Sequence, residues 1–142
     1  MNTTAHQTDK TDQMDKTTIL VAVNDIFFYT KVRDALRANG HTIEKARTQQ
    51  DIADKASSIC PSIVILDMND MALNSFQALE TLKADSRLKA IPTLAFANHE
   101  EVDTWNRAKA LGVTKIVSRN EFSARTKELV DELITLGLRD KA

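Results

Sequence analysis

Along most of this chain, short unbroken apolar runs alternate with stretches where apolar residues recur every three or four positions. TTILVAV (17–23), SIVILDM (62–68) and IPTLAFA (91–97) are unbroken runs, and TKIVS (114–118) is a shorter one. Consecutive apolar, β-branched residues are what strands buried on both faces of a parallel sheet require. HTIEKA (41–46) alternates more and predicts an edge strand. Between the runs the spacing becomes helical. Phe28, Val32, Ala35 and Leu36 share one face of a first helix, and Ile52, Ala53 and Ala56 one face of a short second. Phe76, Leu79 and Leu82 line a third, with Lys83 at its edge. Val102, Trp105, Ala108 and Leu111 line a fourth, and Phe122, Leu129, Val130, Leu133 and Ile134 a fifth. Gly40 and Gly112 fall where the first and fourth helices should stop. Asn98, with Glu101 three residues on, has the form of a capping box for the fourth.

The order is therefore strand then helix, five times over. Right-handed crossovers fold such a chain into a flavodoxin-like (βα)5 three-layer α/β sandwich. Its parallel five-stranded sheet has the order 2-1-3-4-5. The switch point lies between strands 1 and 3, where open α/β sheets place their ligand chemistry. Asn24, Asp25 and Asp67 fall there. Asp67 ends the apolar run IVILD, which a simple cap or turn would explain. Its place at the switch point makes it a candidate site residue instead.

Residues 1–16, MNTTAHQTDKTDQMDK, contain no Val, Ile, Leu or aromatic residue, so burial cannot offset their ordering entropy. They are expected to form a flexible polar tail, with His6 solvated. The domain is expected over 17–138, and residues 139–142 form a short C-terminal tail.

Composition narrows the function classes. The 142 residues suit one domain. Nineteen basic against twenty acidic residues leave no basic excess, which argues against nucleic-acid binding. No apolar run is long enough to span a bilayer, and the polar N-terminus shows no secretory signal. Cys60 is the only cysteine, which excludes an internal disulfide; it reads as a buried structural thiol. These features predict a soluble cytoplasmic protein.

Taken together, these landmarks resemble the receiver domain of two-component response regulators, over roughly residues 17–138. ILVAVND resembles the first strand, which in that family usually ends in two acids, and Gly40 ends the first helix at the usual interval. Asp67, at the end of IVILD, falls on the phospho-acceptor aspartate. IPTLAFA resembles the fourth strand, and ALGVTKIVSRNEF the segment that usually carries a lysine-proline pair. The resemblance implies phosphoryl transfer from a histidine kinase or phosphotransfer protein to Asp67, assisted by Mg²⁺. An anionic phosphoryl group approaching a carboxylate needs a cation to suppress repulsion, and hard oxygen ligands suit Mg²⁺.

The chain departs from the family pattern at most supporting positions. Val23 and Asn24 replace the acidic pair, Ala97 stands at the Ser/Thr position, and Arg119 and Asn120 replace lysine and proline. Ile116 stands where an aromatic switch residue is common. Asp67 and Arg119 alone sum to zero charge, so Mg²⁺ binding should be weakened. Asn24, Asp25, Asp67 and the Asn69 carbonyl remain as a weak Mg²⁺ set, and Asp70 is a further local acid. Arg119 is either a phosphate clamp or a standing ion pair with Asp67, and the pair is favoured.

Two signalling readings follow. One is a single-domain regulator that accepts a phosphoryl group on Asp67 and acts by protein contact. The other is a pseudo-receiver that uses the same contacts without phosphate. The resemblance places the partner on the face of helix 4, strand 5 and helix 5, which carries Trp105 and Ile116, and that face would also serve a homodimer. Trp105 itself reads as a half-buried packing residue or as an interface anchor. A small enzyme or flavin carrier is a weaker reading. VNDIFFYT after strand one lacks a glycine-rich phosphate loop, and His41 and His99 have no partner at metal-ligand spacing.

Overall fold

The structure, a computed structural model, describes residues 17–141. The tail expected over 1–16 lies outside the described residues. The chain runs β1 (Thr18–Ala22), α1 (Ile26–Ala38), β2 (Thr42–Lys45), α2 (Gln49–Ile59), β3 (Ile63–Asp67) and α3 (Ser75–Ala84). It continues through β4 (Thr93–Ala97), α4 (Val102–Ala110), β5 (Lys115–Ser118), α5 (Arg119–Ala124) and α6 (Thr126–Lys141). The five strands form one parallel sheet in the order β2-β1-β3-β4-β5, as the run pattern predicts.

Every residue of β3 and β4 is buried, which is why those runs show no polar alternation. Side chains still alternate between faces. Ile19, Val21, Ile63, Ile65, Leu94 and Phe96 pack against Tyr29, Val32 and Leu36 of α1 and against Phe122, Leu129 and Leu133 of α5 and α6. Leu20, Ala22, Val64, Leu66, Ala95 and Ala97 pack against Ile52 of α2, Leu79 and Leu82 of α3, and Ala108 of α4. By the same parity Asp67 continues the Ile63–Ile65 row, toward the face that carries α1.

Local chemistry sets most helix ends. Asp25 caps α1, its Oδ1 accepting from the backbone N–H groups of Phe27 and Phe28 at 3.1 Å each. Thr48 caps α2 through the Asp51 N–H at 3.1 Å, and Ser118 caps α5 through the Glu121 N–H at 3.0 Å. Gly40 follows α1 at φ +90°, a conformation that costs an L side chain steric strain. Its Cβ direction is open, so strain alone would act on a substitution. Gly40→Ala should therefore lower the unfolding free energy by about 1 kcal/mol in a urea titration.

Several local expectations are corrected. Ala35 is exposed; α1 buries Tyr29, Val32 and Leu36, with Phe28 half-buried. Val102 is 61% exposed, because α4 begins there and turns only Ala108 fully inward. Asn98 does not cap α4. Its carbonyl accepts the Glu101 N–H at 3.1 Å in a turn, and its side-chain amide donates to Glu101 Oε2 at 3.3 Å. Cys60 is exposed, not buried. It ends α2 at φ +51°, just before Pro61, which disfavours a helical residue ahead of it. The expected fifth helix is broken at Arg125 (φ −128°), where the Thr126 hydroxyl donates to the Phe122 carbonyl at 2.6 Å. The second piece, α6, runs to Lys141, so most of the expected 139–142 tail is helical.

Candidate functional site

The carboxyl end of β3 delivers Asp67 to the rim of the sheet, in register with Phe96 of β4. Asp67 is only 5% exposed. Its carboxylate Oδ1 accepts the Asn69 N–H at 3.0 Å, and its own carbonyl accepts the Ser75 hydroxyl at 2.7 Å, which ties the strand end to α3. Burial pushes its carboxyl above the ordinary carboxylate range. The Asn69 N–H and then Arg119 oppose this, and the Asp70 and Asp25 charges add to it.

Arg119 is the first residue of α5, directly after the Ser118 cap. Its Nη2 donates to Asp25 Oδ2 at 3.2 Å, and its Nη1 lies 3.7 Å from Asp67 Oδ2. The guanidinium carbon sits 4.2 Å from the Phe28 ring centroid and 5.5 Å from that of Phe96. Phe96 in turn stacks on Phe122, with centroids 4.8 Å apart and planes 17° from parallel. Two aromatic rings, the second backed by Phe122, thus lie against one guanidinium between two carboxylates. Such a cation–π contact contributes about 0.5–2 kcal/mol and fixes the plane of the fork.

The other expected site residues are arranged differently. Asn24 turns its amide to the Arg47 carbonyl at 3.0 Å. Asn69 donates through its side chain to Glu101 Oε1 at 2.7 Å and accepts the Asn98 N–H at 3.0 Å. Asp70 caps its own turn, with Oδ1 accepting from Ala72 at 2.9 Å and Leu73 at 3.3 Å. Ala97 is fully buried at the end of β4 and brings no hydroxyl. Ile116 is buried in the core and does not reach the expected partner face. Trp105 is half-buried against that core, and its indole N–H donates to the Asn98 carbonyl at 3.0 Å. His41 and His99 lie toward opposite ends of the strands, before β2 and after β4.

Sequence reading missed two parts of this arrangement. One is the aromatic platform of Phe28, Phe96 and Phe122. The adjacent Phe27 and Phe28 right after a capping aspartate were its only local signal. The other is Glu101, whose carboxylate accepts from Asn69, Asn98 and Thr104 and so joins the β3–α3 and β4–α4 loops. Beside it a cavity of 340 Å³ opens between Asn98–Glu101 and Ser118–Asn120, with Arg119 in its wall.

No family model matches the chain. No curated protein matches it either. Solved structures do match. NtrX from Brucella abortus is 16% identical at a TM-score of 0.78, covering 89% of this chain, which spans 28% of that one. The chemotaxis protein CheY4 of Vibrio cholerae is 18% identical at a TM-score of 0.75, covering 83% of this chain and 98% of its own. The receiver domain of a sensor histidine kinase from Pseudomonas aeruginosa is 13% identical at a TM-score of 0.76, covering 84% of this chain and 98% of its own. The fold is that of receiver domains. Among the described residues no helix is long and apolar enough to cross a membrane.

The Pseudomonas domain was crystallised with a magnesium ion coordinated in its active-site cleft. The side-chain donors expected as a weak Mg²⁺ set, Asn24, Asp25 and Asp67, are engaged with protein partners in this structure. Asp25 spends one oxygen on the α1 cap and the other on Arg119. Asp67 spends one on Asn69 and turns the other toward Arg119. Asn24 offers only a neutral amide, already bonded to Arg47. A fixed monocation between the two carboxylates repels a second cation at the same oxygens.

Proposed function

We propose that this protein is a response-regulator-like signalling module that acts through protein contacts and does not depend on phosphorylation. The observation that carries this reading is the Arg119 guanidinium, held on Phe28 and Phe96 between Asp25 and Asp67. A phosphoryl group arriving at Asp67 would have to compete with Asp25 for that cation. It would find no hydroxyl at Ala97, and carboxylates already engaged with Arg119 and backbone N–H groups. With few new contacts to make, it would shift the population of any alternative conformation little. Signalling relatives that share the fold support the coarser role.

In this reading the chain is not an enzyme and works in the cytoplasm. Its partner, or a second copy, docks on the face of α4, β5 and the helices after it. Exposed Val102 and the half-buried edge of Trp105 supply apolar contact there. The test is intact mass after incubation with acetyl phosphate and Mg²⁺. No phosphoryl adduct is expected; an adduct that disappears in Asp67→Ala would overturn the proposal. Such an adduct would establish the second reading, a phosphorelay acceptor served by a histidine kinase or phosphotransfer protein. That reading is favoured by one feature. Arg119 stands 3.7 Å from Asp67 but 3.2 Å from Asp25, so its fork could clamp an incoming phosphate without first losing a tight bond to the acceptor.

A further inference from the structure

We propose that His41 and Asp131 form a proton-operated latch that fastens α6 to the amino-terminal edge of the sheet. His41 stands just before β2, and its side chain is only 8% exposed. Its Nδ1 is bonded to the hydroxyl of Thr17, the residue that leads into β1. Its Nε2 is the one buried side-chain nitrogen or oxygen among the described residues with no hydrogen-bond partner. Buried polar atoms are rarely left in that state. What Nε2 faces is a carboxylate: Asp131 Oδ1, on α6, lies 3.8 Å away. Asp131 is half-exposed and also accepts from the side-chain amide of Asn39, the residue that ends α1, at 3.3 Å and 3.5 Å.

A neutral imidazole carries a single N–H. The Thr17 hydroxyl serves Nδ1 as donor or as acceptor. With the proton on Nδ1, Nε2 turns a lone pair toward the Asp131 carboxylate, and two acceptors oppose each other. With the proton on Nε2, 3.8 Å is too long for a hydrogen bond. A second proton, taken from solvent, satisfies both nitrogens. Nδ1–H then donates to Thr17, and a movement of about 1 Å brings Nε2–H to charge-assisted bonding distance from Asp131. The other charged groups on the surrounding elements are Arg37 on α1, Glu44 and Lys45 on β2, and Lys127, Glu128 and Glu132 on α6. Lys45 lies over the Tyr29 ring, and Glu132 pairs with Lys115. Among the described residues, only Asp131 forms an ion pair with the imidazole. The closed latch joins the leads into β1 and β2 to the end of α1 and to α6. Asp131 also lines a surface hollow of 600 Å³ with Glu128, Glu132, Thr135 and Leu136. Closing the latch neutralises one acid of that surface, so the charge that α6 shows to solvent follows the proton.

The experiment is amide hydrogen exchange on the full chain at about pH 5.5 and about pH 7.5, either side of the ordinary imidazole titration. Rates are corrected for the intrinsic effect of pH. Between neutral and acid, protection of residues 131–136 should rise about threefold more in the wild-type chain than in His41→Gln or Asp131→Asn, the size expected of an ion pair with one exposed partner. Comparison with the variants removes the contribution of other titrating groups, Asp67 among them. Asp131→Asn alters a half-exposed position and carries the test should loss of the buried ring disturb the fold. Nuclear magnetic resonance supplies a second readout. The Asn39 side-chain amide should shift with the same midpoint as the His41 ring carbons in the wild-type chain, and should not follow them in Asp131→Asn. Equal gains in protection in the wild-type chain and the variants, or an Asn39 amide indifferent to the His41 titration, would overturn the proposal.

Discussion

Phe96→Ala should lower the unfolding free energy by about 3–5 kcal/mol, the range for truncating a fully buried phenylalanine. Phe96 is among the largest side chains with no exposed surface. Its ring touches Phe28 at 5.1 Å and Phe122 at 4.8 Å between centroids, so it joins α1 and α5 across the end of β4. Collapse cannot readily fill the gap, because its neighbours belong to a buried strand and to helices pinned by their own caps. Urea unfolding followed by circular dichroism reads the loss, with the slope unchanged if only stability is affected. A loss below about 1 kcal/mol would mean that the aromatic platform repacks and does not hold Arg119 in a fixed plane. The same variant removes one of the two rings beneath the guanidinium. A stability loss shared by Arg119→Met/Phe96→Ala in less than additive fashion would locate part of the Phe96 effect in that contact.

The strands and their order could be read from the chain because the constraint behind them is local. Four apolar runs and one alternating edge strand, each followed by a helical period, leave little choice but a doubly covered parallel sheet. Asp67 was legible for the same reason, as a charge at the end of a run that is otherwise wholly buried. Its surroundings were not. Phe28, Phe96 and Phe122 come from three elements and meet only through strand order, so no window of sequence contains the platform. Asp25 looked like a spare metal ligand because its role depends on where α1 starts, and a boundary is less determined by pattern than an element is. Arg119 could be placed opposite Asp67 by resemblance, but its closer partner, Asp25, could not. The break at Arg125 carries no glycine or proline; beside it the Thr126 hydroxyl bonds back to the Phe122 carbonyl, and a threonine inside a helical pattern seldom signals a stop. Glu101 was read as half of a capping box, whereas the Asn69 amide draws its carboxylate across to another loop.

Asp67→Asn should make the protein more stable at neutral pH, and the advantage should disappear in acid. Burial holds the Asp67 carboxyl above its ordinary range even with the Asn69 N–H and Arg119 opposing it. Between the ordinary value and the raised one, the folded chain binds more protons at this group than the unfolded chain does. Stability from Asp67 is therefore fully present below the ordinary carboxyl range and is lost as pH rises through the raised value. The asparagine has no such window. Its amide oxygen can still accept the Asn69 N–H, and Arg119 is not stranded, because Asp25 remains 3.2 Å away at a partly exposed position. Denaturant unfolding of both proteins across a pH series is the measurement. The expected result is a difference that grows from near zero in acid to its full size above the raised value. A wild-type protein more stable than Asp67→Asn at neutral pH would mean that the guanidinium outweighs burial, and that the pair with Arg119 stabilises the fold. The expected sign, by contrast, would mark Asp67 as a charge held at the rim of the sheet against the fold's own preference, where proteins trade stability for function.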